Sequence, residues 1–374
     1  MQLSVIILNY NVRYFLEQCV LSVQKALEGI DGEIIVIDNH SSDDSCAMIK
    51  ALFPNIKLIE NKENLGFPKG NNIGVTQAQG EYICILNPDT VVAEDTFSKI
   101  LKTDNWQLST GIIGCKLIDG TGNFLPESKR GVPTPWVAFT KIFGLYKISN
   151  VFGKYYAQHL SENQSGKVDI LVGAFMVMKR ELYTEIGGFD KNCFMYSDDI
   201  DLSYMVLQKG KYNYYYHETI VIHYKGESTI RDEKYMKRFQ EAMQFFYQKH
   251  FKKSPFFNLF MQIGAFSFSL FKKNQSKFLQ RKVDQYVIFS KEKVQFNLGN
   301  KSVILNEFTE FKNDVNSNIE IIFDTKYFSF KEIIAFMNCN KSKNLTFKNY
   351  IPDSNYCIGS NNAIDRGEII QLKN

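Results

Sequence analysis

The chain has 374 residues, 44% hydrophobic and 22% charged, so at roughly 100 to 200 residues per domain it holds two or three water-soluble domains rather than a binding peptide, a disordered tail or a polytopic membrane protein. Its 44 Lys and Arg against 40 Asp and Glu leave a net charge of only +4, too little to support nucleic-acid binding. Seven cysteines without a CxxC pair read as reduced core thiols of a cytoplasmic protein, and Met1 to Val5 enter a strand pattern directly, so no secretion signal is expected.

Strand-like and helix-like runs alternate from the start: Leu3 to Leu8, then a helix to about Leu27; Glu33 to Ile37, then Asp43 to Leu52; Lys57 to Ile59, then Lys69 to Ala78; Tyr82 to Leu86, then Asp95 to Leu101. Nearly continuous Val/Ile/Leu strands between helices predict a parallel sheet covered on both faces, an α/β fold. From Gly120 to Gly166 the periodicity fails and Pro126, Pro133 and Pro135 intrude, marking a long irregular insertion of the kind that often serves function. Regular structure returns at Val168 to Met178. A helix from about Asp198 to Lys209, strands near Tyr212 to Tyr216 and Thr219 to His223, and a long helix from about Asp232 to His250 follow.

Between Ala242 and Val283 there are eight Lys or Arg and no Asp or Glu, around an uncharged, Phe-rich stretch from Ser254 to Phe271. On a helix Ser254, Asn258, Gln262, Ala265 and Ser269 share one stripe, while Phe256, Leu259, Phe260, Ile263, Phe266, Leu270 and Phe271 lie opposite. With Lys252-Lys253 and Lys272-Lys273 at its ends, this reads as a helix lying in an anionic membrane surface; the alternative is a helix packed on the protein's own core. After Asp284 the chain turns Asn- and Lys-rich, but Ile319 to Phe323 followed by Ser329 to Met337 keeps the look of a small α/β module.

Ligands collect beyond the carboxyl ends of strands in an open parallel sheet, and the polar clusters stand there: Asn9-Tyr10-Asn11, Asp38-Asn39, Asn64-Leu65-Gly66 through Lys69 to Asn72, and Asn87-Pro88-Asp89. The first of these turns has no glycine, which excludes a dinucleotide fingerprint and disfavours an oxidoreductase or methyltransferase. The crevice is expected to hold a nucleotide otherwise, with Asp38 accepting from a ribose or base N–H, and Lys69 with the backbone around Gly66 and Gly70 meeting phosphate. Asp38 alone reads equally as a cap or turn residue. Asp89 offers a carboxylate to a hard divalent cation, Mg²⁺ or Mn²⁺, bridging a diphosphate, although Asn-Pro-Asp by itself is a common turn.

Ser197-Asp198-Asp199-Ile200-Asp201 is the densest acid cluster. Three carboxylates at a helix start exceed what capping needs, so one is a candidate general base. His223 ends an apolar strand, where a histidine is commonly structural but can complete a metal site. Trp136 and Phe139 in the insertion and Tyr196 ahead of the acids are candidates for acceptor contact, and such rings serve equally as packing.

The ordered series Asn9-Tyr10-Asn11, Asp38-Asn39-x-Ser41, Asn64-x-Gly66, Asn87-Pro88-Asp89, Gly187-Gly188-Phe189-Asp190, Met195-Tyr196-x-Asp198-Asp199-x-Asp201-Leu202 and His223-Tyr224-x-Gly226-x-Ser228 resembles the family-two inverting glycosyltransferases of GT-A fold, and within them the bacterial rhamnosyltransferase-like branch. The resemblance covers about residues 3 to 250. It implies displacement from a dTDP- or UDP-linked sugar, with rhamnose the candidate, onto a hydroxyl of a lipid-linked glycan in surface polysaccharide synthesis. Carried over residue by residue, Asp38 holds the nucleoside, Asn71 lies in the donor loop, Asn87-Pro88-Asp89 stands for the metal-binding D-x-D, His223 lies near the diphosphate and Asp199 is the base. Three positions depart from the pattern: Asn87 replaces an aspartate, Asp198 a glutamate and Met205 an arginine.

The expected organisation is a transferase unit over 1–250, a basic membrane-interface segment over 251–283 and a degenerate nucleotide-binding-like module over 284–374. The enzyme would then sit on the inner face of the cytoplasmic membrane, with a homodimer left open. A catalytically impaired sugar-nucleotide-binding or scaffold protein on the same fold is the competing reading, and a processive synthase is disfavoured for want of spanning helices.

Overall fold

A computed structural model describes residues 1–102, 104, 106–134, 136–137, 140, 148, 150–224, 233–251, 282–292, 301–361 and 367–372. The amphipathic stretch at 254–271, Phe139 and the Gly226-x-Ser228 motif lie outside the described residues.

The chain opens on strand β1 (Leu3–Asn9), α1 (Arg13–Ala26), β2 (Gly32–Asp38), α2 (Ser45–Leu52), β3 (Lys57–Glu60), α3 (Gly66–Thr76) and β4 (Tyr82–Leu86). Helix α1 forms because Leu16, Cys19, Val20, Val23 and Ala26 recur at three- and four-residue spacing, and that stripe is buried against Val5, Ile7 and Val36 of the sheet. At roughly 1.5–3 kcal/mol for each large apolar side chain removed from water, the stripe commits the helix to the sheet.

β5 (Thr90–Val92), α4 (Thr96–Leu101), β6 (Thr110–Ile118), β7 (Gly166–Val168), β8 (Phe175–Lys179), α5 (Arg180–Glu185), α6 (Asp198–Gln208), β9 (Tyr212–His223) and α7 (Glu233–His250) complete this half. Among the described residues the sheet has nine strands in the order β3-β2-β1-β4-β8-β6-β9-β5, with β7 beside β9. The expected parallel arrangement holds from β3 to β4. Beyond it the sheet is mixed, since β8 runs antiparallel to both β4 and β6, and β9 is parallel to β6 but antiparallel to β5 and β7. Three elements differ from the sequence reading. β6, with all nine residues buried, was not assigned; Val168 to Met178 is two strands, because Asp169 to Ala174 leaves the sheet; and the two runs before His223 are one strand, with an irregularity where Cys115 pairs Tyr216 and Lys116 pairs Ile220.

A second sheet follows, built from β10 (Gln285–Phe289), β11 (Lys301–Leu305), β12 (Ile319–Asp324), β13 (Leu345–Ile351), β14 (Tyr356–Gly359) and β15 (Glu368–Gln371) in the order β11-β10-β12-β13-β14-β15. Helix α8 (Phe330–Cys339) lies between β12 and β13 in the chain, and its start carries a reciprocal Ser329/Glu332 capping box. Glu94 of the first half accepts from the Phe330 and Lys331 N–H groups at 2.9 and 2.7 Å, satisfying further donors of that helix end. One face of the second sheet shares a single apolar cluster with Phe15, Val91, Ile118, Ile222 and Tyr224 of the first half. Among the described residues no helix is long and apolar enough to cross a membrane.

Candidate active site

The parallel register brings Asn9 directly opposite Asp38 at the strand ends. Asn9 Nδ2 donates to Asp38 Oδ1 at 2.7 Å and to Ser41 Oγ at 3.0 Å, while the Ser41 N–H donates to Asp38 Oδ2 at 2.8 Å. Both residues are buried. Asn39 organises the next turn: its Nδ2 donates to Asn64 Oδ1 at 2.9 Å, and its Oδ1 accepts from Asn61 Nδ2 and the Leu65 N–H, each at 3.1 Å. Gly66 sits at φ +80°, where a Cβ would lie 2.8 Å from the Phe194 carbonyl oxygen, so side chain and backbone conformation both demand glycine. Asn71 is fully buried and bonds back to the Phe67 carbonyl at 3.0 Å. Lys69 is exposed on α3.

After β4, the Asn87-Pro88-Asp89 turn carries the chain from the middle of the sheet to β5 at its edge, and Thr90 there pairs His223 of β9. That crossing sets Asp89 Oδ1 3.4 Å from His223 Nε2, with Asn87 Nδ2 also 3.4 Å from the same ring nitrogen. Asp89 and His223 are 5% and 6% exposed, and among the described residues the buried His223 Nδ1 has no hydrogen-bond partner. Among the described residues no three His, Cys, Asp or Glu side chains gather as a metal site; the Asp89 carboxylate and His223 imidazole are donor types that suit Mg²⁺ or, with the imidazole, Mn²⁺ beside phosphate oxygens and water.

The acids divide by their place on α6. Asp198 and Asp199 border a cavity of about 270 Å³ together with Tyr10, Asn39, Asn64, Gly66, Phe67, Asn87, Pro88, Arg130, Val172 to Ala174, Met195 and Tyr196. Asp199 Oδ2 accepts from Arg130 Nη2 at 2.5 Å and from the Gly173 N–H at 3.1 Å. Burial works against the Arg130 charge, but Asp199 outweighs it and holds the guanidinium above its ordinary range. Asp198 beside it is pushed up to about 7, by burial first and then by the Asp199 charge. One acid of the pair is thus ion-paired to Arg130 and its neighbour keeps a proton to near neutrality.

Asp201 is not in the crevice. It is 1% exposed, and both its oxygens are engaged by α7, Oδ2 by Lys249 Nζ at 2.8 Å and Oδ1 by His250 Nε2 at 2.5 Å. Lys249 Nζ also lies 3.6 Å from the sulfur of Met205, the position where arginine was expected. Asp38, Asn71, Asp89, His223 and Lys69 are not among the residues that border the cavity, nor is Trp136, which is 60% exposed. Tyr196 does border it, at φ +78°.

Arg130 escaped the sequence reading, which fixed on the aromatics of the Pro-rich insertion. The available signal was the cation pair Lys129-Arg130 before Gly131. Lys129 is structural: its ammonium donates to the carbonyls of Tyr156, Ala157 and Leu160 at 3.2, 3.2 and 2.8 Å, which folds the insertion back and holds Arg130 inward.

The model of Glycosyl transferase family 2 matches residues 4–187, a span that contains the strand-end cluster and Arg130. The chain carries a family 2 glycosyltransferase domain. This family 2 glycosyltransferase is 24% identical over 241 residues to the N-acetylglucosaminyl-diphospho-decaprenol L-rhamnosyltransferase of Mycobacterium tuberculosis, covering 62% of this chain and 78% of that one. It is 31% identical over 168 residues to the GalNAc(5)-diNAcBac-PP-undecaprenol beta-1,3-glucosyltransferase of Campylobacter jejuni, covering 44% of this chain and 54% of that one. Among solved structures it is similar to the mannosyltransferase PcManGT of Pyrobaculum calidifontis in complex with GDP-Man and Mn²⁺, at 18% identity and a TM-score of 0.47 over 71% of this chain and 69% of that one.

Proposed function

We propose that the protein is an inverting glycosyltransferase that moves a sugar, with rhamnose the candidate, from a dTDP- or UDP-linked donor to a hydroxyl of a lipid-linked glycan in surface polysaccharide synthesis. The observation that carries this reading is the pair of acids across the cavity from the polar strand ends, one ion-paired to Arg130 and one protonated to near neutrality. The relatives named above, whose acceptors are polyprenyl-diphosphate glycans by name, support the lipid-linked acceptor.

The incoming hydroxyl must lose its proton as it attacks the anomeric carbon. Asp199 is the base: Arg130 and the Gly173 N–H fix Oδ2, which orients the carboxylate and leaves Oδ1 to accept the proton. Asp198 beside it keeps its proton up to about 7 and below that pH spares the site a second buried charge. Tyr10 and the Asn39 to Gly66 wall receive the nucleotide, with Asp38 and Asn9 setting the strand ends behind them. Asp89 and His223 would hold a divalent cation, which supplies charge against the departing diphosphate. The basic stretch at 251–283 would keep the enzyme on the cytoplasmic face of the membrane, where such an acceptor is exposed.

The test is a panel of nucleotide sugars with Mg²⁺ or Mn²⁺, the product anomer being read by NMR. One dTDP- or UDP-sugar is turned over with inversion, and Asp199→Asn lowers that turnover on the order of 10² to 10⁴ while nucleotide still binds. Nucleotide binding with no turnover of any donor would return the protein to the scaffold reading.

A further inference from the structure

The loop between α5 and α6 carries Met195 and Tyr196 into the cavity wall. Tyr196 is held at φ +78°. A non-glycine residue there costs on the order of 1–3 kcal/mol and persists only where its surroundings over-determine it. Several contacts hold the loop, among them the Arg238 guanidinium of α7, 5.0 Å from the Phe194 ring centroid, and three polar ties. Asn72 takes the Phe189 N–H at 3.2 Å, the Phe194 carbonyl accepts from the Phe67 N–H at 3.0 Å, and Asp190 Oδ2 takes the ammonium of Lys249 at 2.8 Å. The first two ties reach α3. The third comes from the end of α7, 59 residues along the chain from Asp190.

The same ammonium donates to Asp201 Oδ2, also at 2.8 Å. Asp201 lies in the first turn of α6, the turn that presents Asp198 and Asp199 to the cavity. Three donors on one compact head suit a bridge between two carboxylates. We propose that Lys249 is a positioning residue for glycosyl transfer: it straps the loop bearing Met195 and Tyr196 to the helix bearing the acids, and so fixes the acceptor-side wall against the base.

His250 closes the other oxygen of Asp201, so α6 keeps one anchor when Lys249 is lost, whereas the loop gives up its ion pair at Asp190 and keeps, toward α7, the Arg238 guanidinium over the Phe194 ring, 5.0 Å from its centroid. The electrostatics agree with a committed bridge. Burial pulls the Lys249 ammonium down, and Asp190 and Asp201 outweigh it and hold it above the usual lysine range. Burial pushes the Asp190 carboxyl up, and Lys249 outweighs it and holds it below the carboxylate range.

This inference rests on the transfer reading above, and the experiment separates the two. Lys249→Met, Lys249→Arg and Asp190→Asn are made in the full chain and compared with wild type for kcat, acceptor KM, nucleotide binding by calorimetry and urea unfolding. A wall displaced by about 1 Å costs on the order of 10²-fold, so Lys249→Met is expected to lose about that much kcat with nucleotide affinity unchanged, because the β1 and β2 strand ends are not touched. Lys249→Arg restores most of the loss, and Asp190→Asn, which keeps the Lys249–Asp201 pair, loses kcat with little change in stability. Wild-type kcat in Lys249→Met overturns the strap, as does nucleotide affinity that falls in step with kcat. If Lys249→Met does not fold, Asp190→Asn decides alone, and its wild-type kcat overturns the strap. Wild-type protein that turns over no donor instead refutes the transfer reading.

Discussion

Replacing Asp198 by Asn tests the electrostatics of the crevice without reference to any substrate. The side chain is buried beside Asp199, and its carboxyl is raised from the ordinary 3.8 to about 7, burial being the larger cause. The unfolded chain therefore releases this proton near 3.8 and the folded chain near 7, so between those values the unfolded state binds fewer protons. The stabilisation tied to the protonated form is complete below 3.8 and is lost as pH rises towards 7. At 1.36 kcal/mol per pH unit the whole span amounts to roughly 4 kcal/mol, of which about 3 kcal/mol falls between about pH 5 and about pH 8. Asn keeps the shape and cannot ionise. Urea unfolding at a series of pH values should show the advantage of Asp198→Asn over wild type growing by about that amount from acid to alkaline buffer. A difference that stays constant with pH, or that grows towards acid, refutes the assignment of the retained proton to Asp198.

Arg130→Ala strands the Asp199 carboxylate without its cation and should cost about 3–5 kcal/mol in urea unfolding together with most of the turnover, whereas Arg130→Lys should keep part of both. Asp89→Ala should abolish the response of turnover to added Mn²⁺ and weaken donor binding; wild-type protein fully active in chelator would remove the cation from the scheme. The 251–283 segment should bring the protein down with anionic vesicles in co-sedimentation, at about 1 kcal/mol per contacting Lys or Arg, and salt should weaken that binding. Replacing Phe256, Phe260 and Phe266 by Ser should release it without unfolding, and a variant that unfolds would instead assign those rings to the protein core.

Much of the crevice could be read from the chain because a parallel register does the assembling. Once β1, β2 and β4 are recognised as apolar runs, the residues that end them must meet at one edge, and Asn9, Asp38 and Asn87 do so. β6 was hidden because Gly111, Gly114 and Lys116 interrupt its apolar run; Lys116 is tolerated inside only through Asn163 and Glu162, at 2.7 and 3.2 Å. The separation of Asp201 from Asp199 was available in principle, since residues two apart on a helix do not share a face, whereas Asp198, three residues away, has a spacing that would place it beside Asp201. What receives it was not: Lys249 and His250 lie almost fifty residues downstream, with no local pattern marking them as partners. Arg130 was obscured for the same reason, as its meaning lies wholly in the distant carboxylate it meets.

The apolar cluster common to the two sheets changes how the C-terminal third should be regarded. Phe15, Val91, Ile118, Ile222 and Tyr224 are nearly inaccessible to water, and Ile321, Phe323, Phe347 and Tyr356 cover them from the other side. Tyr224, the neighbour of His223, also accepts from Asn349 Nδ2 of β13 at 3.3 Å. Removing the chain beyond residue 284 would thus leave a greasy scar against the strand that carries the histidine. The two sheets are expected to melt as one cooperative unit rather than as catalytic body and detachable appendage.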